Sequence, residues 1–245
     1  MFYARSLRAQ GPLRHTLLVR GTHWITVVSF LTLLVTGIEI LISHPRFYWG
    51  EVGNSLTPTL FKIPIPSSRS TVPTGYGYVL PDQNGWSRYL HFEAAWALIL
   101  TGIIYVVFGF WARHFQKNLF PAPADRTWHA LRTVIAKHLR LGKPEEDDWR
   151  SYNVLQRITY LLVIFGLVPL VIWTGLAMSP GFNAAVPWAV NWLGGRQSAR
   201  TLHFLVSMLL VLFLVVHMAM VVLTGFRNRM RGMITGHSDA PREGT

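Results

Sequence analysis

Two histidines, His203 and His217, stand 14 residues apart in one uninterrupted apolar stretch. Fourteen residues of α-helix fall about 40° short of four full turns, so the two imidazoles share a face, roughly 21 Å apart along the axis. That separation is far too wide for one metal ion and suits two cofactors held at different depths. Two more histidines, His23 and His91, lie in other apolar stretches. A polar or ionisable group in such surroundings is costly unless it is paired or ligating, which makes all four functional candidates.

The elements that must position them are membrane helices. The 245 residues are 51% apolar and 14% charged, against about 25% charged in a soluble domain. Residues 13–42, 89–112, 155–179 and 201–226 each supply the roughly 20 apolar positions that a bilayer core requires. The chain reads as one membrane domain over residues 1–245. Its fold class is all-α integral membrane, a four-transmembrane-helix bundle. The rest reads as loops of 43–87 and 113–154 and a tail of 227–245, because Pro and Gly punctuate residues 58–81 and 180–195. In the inner loop, Trp128, Leu131, Ile135 and Leu139 recur at helical spacing among Arg132, Lys137 and Arg140, as in a basic interfacial helix on anionic lipid.

Charge gives the direction. Seventeen of the 23 Lys and Arg fall on the face that carries both termini, and 6 on the other. The positive-inside rule then puts both termini in the cytoplasm (N-in/C-in), and the +12 net charge marks a membrane surface rather than a nucleic-acid partner. The leading Arg-bearing segment and the long first span argue against a cleaved signal peptide. With no cysteine, disulfides, iron–sulfur clusters, thiolate-ligated haem and covalently attached haem are excluded.

Helices 2 and 4 both start on the outer side, which puts His91 level with His203. Helix 1 starts inside, which puts His23 level with His217. Two histidine pairs, each bridging two helices, are what two bis-imidazole haems between helices 1, 2 and 4 require. With both axial positions filled, such a centre transfers electrons and binds no substrate at iron. The inner depths match if helix 1 starts as early as Pro12, a residue suited to a first helical position. Arg20, Arg88 and Arg200 each precede a candidate ligand by three residues, on the same face and nearer the membrane surface, where a guanidinium suits a haem propionate or simply anchors the helix. Each span contains a Thr-Gly pair. Gly37, 14 residues after His23, lies at the outer haem's level, where it leaves room for a porphyrin or for helix packing. Glu39, near His44 at the outer end of helix 1, is a candidate for proton exchange with a quinol, or a partner of Arg46. Helix 3 has no histidine and reads as a cover, kinked at Pro169. His15, His114, His129, His138 and His237 fall in basic or loop segments and read as solvated.

The order of His23, His91, His203 and His217, with the 14-residue spacing on the last helix, resembles the bacterial cytochrome b561 and nickel-iron hydrogenase cytochrome b subunit family. That family includes the membrane cytochrome subunits of formate dehydrogenase and thiosulfate reductase. The run from His44 to Glu51 is similar to that of its cytochrome b/b6-domain members. The resemblance spans essentially the whole chain. It implies two haem b groups, paired as His23/His217 and His91/His203. It also implies electron traffic in a bacterial inner membrane, between quinone and a periplasmic redox partner of molybdenum or hydrogenase type. A self-sufficient quinone-linked superoxide oxidase is the alternative within the family. Outside it stands a metal transporter, whose ligands would converge at one depth.

Overall fold

In the computed structural model, residues 15–54, 56–65, 79–113, 115–116, 119–120, 132, 156–223 and 225–237 are described. The interfacial helix expected around Trp128 to Leu139 lies almost wholly outside them, as do the middle of the outer loop and the end of the tail.

The chain runs from α1 (Leu17–Ser43) through a small ladder of β1 (Arg46–Phe47) and β2 (Phe61–Lys62) to α2 (Val79–Trp111). Then come α3 (Gln156–Ala177), two short helices α4 (Pro180–Ala185) and α5 (Pro187–Asn191), the long α6 (Arg196–Leu223), and α7 (Phe226–Thr235). Helices α1, α3, α6 and most of α2 are long and apolar enough to cross a membrane, which makes this a multi-pass membrane protein.

Close packing joins α1 to α2 and α3 to α6, forming two hairpins. The α1 face that packs inward is small and polar: Thr22, Ser29, Thr36 and Ser43 are its buried residues, one every seventh position. Thr22, Thr36 and Ser43 donate their hydroxyls to carbonyls four residues back in their own helix. Backbones can therefore approach without an unsatisfied polar group, while Leu31, Val35 and Ile38 are left about half exposed, as a lipid-facing surface requires. Phe115 ties the hairpins together below, packing on Tyr105 and Phe110 of α2 and on Phe165 of α3 with ring centres 5.2–5.5 Å apart.

Several boundaries differ from the expectation. Helix α1 does not start at Pro12; Thr16, in extended conformation, caps it at Leu17 by accepting from the Val19 amide. The fourth span starts at Arg196 rather than 201 and stops at Leu223, where Gly225 adopts φ +99° and turns the chain into α7. Helix α2 starts at Val79 rather than 89. The stretch 180–195, expected as loop, holds α4 and α5, both opened by a proline at the first helical turn. Pro169, expected to kink α3, is preceded by a π-helical turn at Val163–Leu167, in which the Val168 amide reaches back five residues to the Val163 carbonyl. A wide turn of this kind accommodates a residue that cannot donate.

Candidate functional site

The outer pair assembles between the two hairpins. His91 comes from α2 and His203 from α6, and their ring centres are 6.4 Å apart with planes inclined at 63°. Each imidazole is held by the other helix of its own hairpin. His91 Nδ1 is 2.9 Å from Thr36 Oγ1 on α1, and His203 Nδ1 is 3.1 Å from Thr174 Oγ1 and 3.0 Å from the Val171 carbonyl on α3. The following glycine clears space for the ring of His203 and lies at ordinary contact distance from that of His91. A Cβ at Gly37 would stand 3.7 Å from His91 Cε1, and one at Gly175 only 3.2 Å from His203 Cε1. Two of the four Thr-Gly pairs thus form histidine cradles, beyond general helix packing. Helix α3, expected as a cover, supplies one of them.

The inner pair is built differently. His23 stands on α1 and His217 on α6. Their depths match without an earlier start for α1: His23 is six residues inside Leu17 and His217 six residues inside Leu223. Arg227 had made His217 look deeper than it is, because Arg227 belongs to α7, beyond the glycine break. His217 stacks on Phe213 at 5.7 Å and has Tyr160 of α3 at 3.5 Å from its Nδ1, the limit of a hydrogen bond. The Tyr160 hydroxyl in turn accepts from Gln156 Nε2 at 2.8 Å. Below, Trp24 Nε1 and Arg20 Nη1 donate to the Met233 and Ile234 carbonyls at the end of α7, bringing the start of α1 against the chain's last described helix.

The outer end of α6 carries a fitted lid made from the run His44 to Glu51. A helix start leaves backbone amides without intrahelical partners. Here the Gly50 carbonyl accepts from the Gln197 and Ser198 amides at 3.0 and 3.2 Å, and Glu51 Oε2 accepts from the Arg196 amide at 2.9 Å. The carboxylate also meets the positive end of the helix dipole. Ser198 Oγ accepts from the Gly50 amide at 2.7 Å, and Thr201 donates to the Tyr48 carbonyl at 2.7 Å. Gly195, at φ +103°, brings its backbone so close that a Cβ there would stand 2.8 Å from Gly50. Phe47 and Phe61 stack across the ladder at 4.7 Å, and Phe47 lies 4.6 Å from Phe204, the neighbour of His203. The outer loop is therefore built onto the site rather than draped beside it.

The candidate arginines lie as follows. Arg200 donates through Nη2 to the His44 and Arg46 carbonyls at 2.6 and 2.8 Å, so it fastens the lid. Arg20 Nε is buried with no hydrogen-bond partner, a donor available to an anion. Arg88 is exposed, and Glu39 is partly buried on α1. The threonines, Val171 and Tyr160 were not singled out as histidine partners from the sequence. The recurrence of Thr-Gly in the spans was the signal that could have found the two threonines.

This donor set fits haem. Among the described residues no three His, Cys, Asp or Glu converge on one point. Two metal–imidazole bonds of about 2 Å, with half a ring at each end, come to about 6 Å between ring centres. The 6.4 Å between His91 and His203 matches such a bridge.

The sequence pattern of prokaryotic cytochrome b561 matches residues 14–236. A putative protein-methionine-sulfoxide reductase subunit YedZ1 of Azospira oryzae is 30% identical, over 89% of this chain and 94% of its own. A probable Ni/Fe-hydrogenase B-type cytochrome subunit of Azotobacter vinelandii is 23% identical, over 83% of this chain and 77% of its own. No solved structure matches. With a match that runs from before α1 to the end of α7, the chain belongs to the prokaryotic cytochrome b561 family, the membrane b-type cytochromes of electron transfer.

Proposed function

We propose that the chain is a dihaem cytochrome b, the membrane subunit that carries electrons between the quinone pool and a partner oxidoreductase. The observation that carries this reading is the meeting of His91 and His203 from separate hairpins at 6.4 Å, with His217 14 residues below His203 on the same helix. His91 and His203 would hold an outer haem, and His23 and His217 an inner one. Each bound haem supplies a one-electron couple in the low dielectric of the bundle. The protein's own contribution would be to hold each haem through its histidines, fix their ring orientations and close the outer end with the His44–Glu51 lid.

Arg20, with its buried unpartnered Nε, is suited to an inner propionate. Arg88 and Arg200 are assigned to the outer propionates, Arg200 through the donors left free by the lid carbonyls. Glu39 is assigned to proton exchange with a quinol. The charge bias of the loops supports a bacterial cytoplasmic-membrane location with both termini inside. The outer face then meets a periplasmic partner. The relatives named as a methionine-sulfoxide reductase subunit and a hydrogenase cytochrome subunit support a partner of reductase or hydrogenase type.

The test is a dithionite-reduced minus oxidised spectrum of the detergent-purified chain, with pyridine haemochromogen quantitation. Two b haems per chain, reduced in two steps by a quinol, are expected. One haem, or none, would refute the reading. Rapid reaction of the isolated chain with superoxide would instead favour a self-sufficient oxidase.

A further inference from the structure

The two levels of histidines differ in how their Nδ1 atoms are held. Thr36 Oγ1 donates its own hydrogen to the Thr32 carbonyl at 2.7 Å, and Thr174 Oγ1 donates its hydrogen to the Leu170 carbonyl at 2.8 Å. Each hydroxyl has one hydrogen, so while that hydrogen is given to the helix carbonyl the oxygen accepts from the histidine. The Val171 carbonyl beside His203 has no hydrogen at all and can only accept. A neutral imidazole that donates from Nδ1 carries its lone pair on Nε2, the atom a metal takes. At the inner level, His217 has only the 3.5 Å approach of Tyr160, whose hydroxyl is both donor and acceptor and so imposes no tautomer.

We infer that Thr36 and Thr174 are positioning residues that fix His91 and His203 as Nδ1–H tautomers, so that the outer site is preformed in the protein. This rests on the dihaem reading and specifies how its outer site is made. Gly175 completes the device at His203, letting the ring lie against the neighbouring helix within reach of the threonine one residue earlier. The cradles are not equal. Thr36 is the hydrogen-bond partner the described residues give His91, whereas His203 keeps the Val171 carbonyl if Thr174 is lost. Partners of ligating histidines are typically worth 10- to 100-fold in metal affinity.

The full-length chain is compared with Thr36→Val, Thr36→Ser and Thr174→Val by haem stoichiometry, haem release and potentiometric titration. Thr36→Val is expected to speed release of the outer haem about tenfold and to raise its potential, because an imidazole that loses its acceptor is a weaker donor to ferric iron. The inner haem stays unchanged, Thr36→Ser restores both readings, and Thr174→Val gives the smaller effect. Two haems with unaltered release and potential in Thr36→Val would overturn the inference while leaving the dihaem reading intact; a wild-type chain without an outer haem would overturn both. Should Thr36→Val fail to accumulate, nitrogen-15 spectra of the unsubstituted chain from a haem-deficient host decide. Nδ1–H at His91 and His203 is expected, and Nε2–H at either refutes the assignment.

Discussion

The outer and inner halves of this bundle hold their histidines by different means. In the outer half Nδ1 of both histidines has a directed partner at 2.9–3.1 Å, and the first amides of α6 have partners at 2.9–3.2 Å. In the inner half His217 has a contact at the edge of bonding distance, and the helix that carries it ends six residues later at a glycine. The difference teaches that equal ligand chemistry does not need equal scaffolding. A hydroxyl whose hydrogen is given to its own helix specifies a ring, whereas stacking on Phe213 leaves it free to adjust along the contact.

Removing a ligand gives the largest contrast. His203→Ala is expected to take haem content from two per chain to about one, losing the outer signal. His217→Ala is expected to lose the inner signal and keep the preformed outer site, both read by pyridine haemochromogen and redox titration. If either single substitution emptied both sites, the two halves would not be independent.

The lid comes next. Gly195→Ala puts a Cβ against the Gly50 backbone at a φ that L-residues avoid, which costs about 2 kcal/mol or more. A lower thermal midpoint and faster proteolysis within 44–63 are expected, with the inner haem's potential unmoved. Subtler is the pair Gly175→Ala and Gly37→Ala. The first presses on His203 Cε1 at 3.2 Å and should shift the outer haem's spectrum. The second meets His91 at an ordinary 3.7 Å and should be nearly silent. Equal shifts would mean that the cradles are set by something other than glycine clearance. Smallest is Tyr160→Phe, which removes the 3.5 Å contact to His217 and the 2.8 Å bond from Gln156, and is expected to alter stability by about 1 kcal/mol and the inner potential only slightly. A large effect there would show that the inner half is fastened as firmly as the outer.

Much of this was legible beforehand, for identifiable reasons. Long apolar runs are unmistakable because hydrocarbon tolerates so few charges, and four of them named the helices. Helical geometry alone put His203 and His217 on one face, and the direction of each span sorted His23 and His91 by depth. The ends of the spans were less legible. Arg227 looked like the end of the last span, but the break is made by Gly225, and a glycine can take positive φ or sit in a helix without its neighbours saying which. The run His44 to Glu51 looked like loop because the partners of its backbone are about 150 residues away.

The sequence by itself determined the class of protein and its four apolar spans, and set His203 and His217 on one helix face, since hydrophobicity and a fixed rise per residue act along the chain. Only the tertiary structure decided which helices pair, which threonines meet which imidazoles, and that α6 is capped by a segment about 150 residues earlier in the chain. Those are matters of direction and distance between segments, and a hydrogen bond exists only where donor and acceptor are brought to about 3 Å.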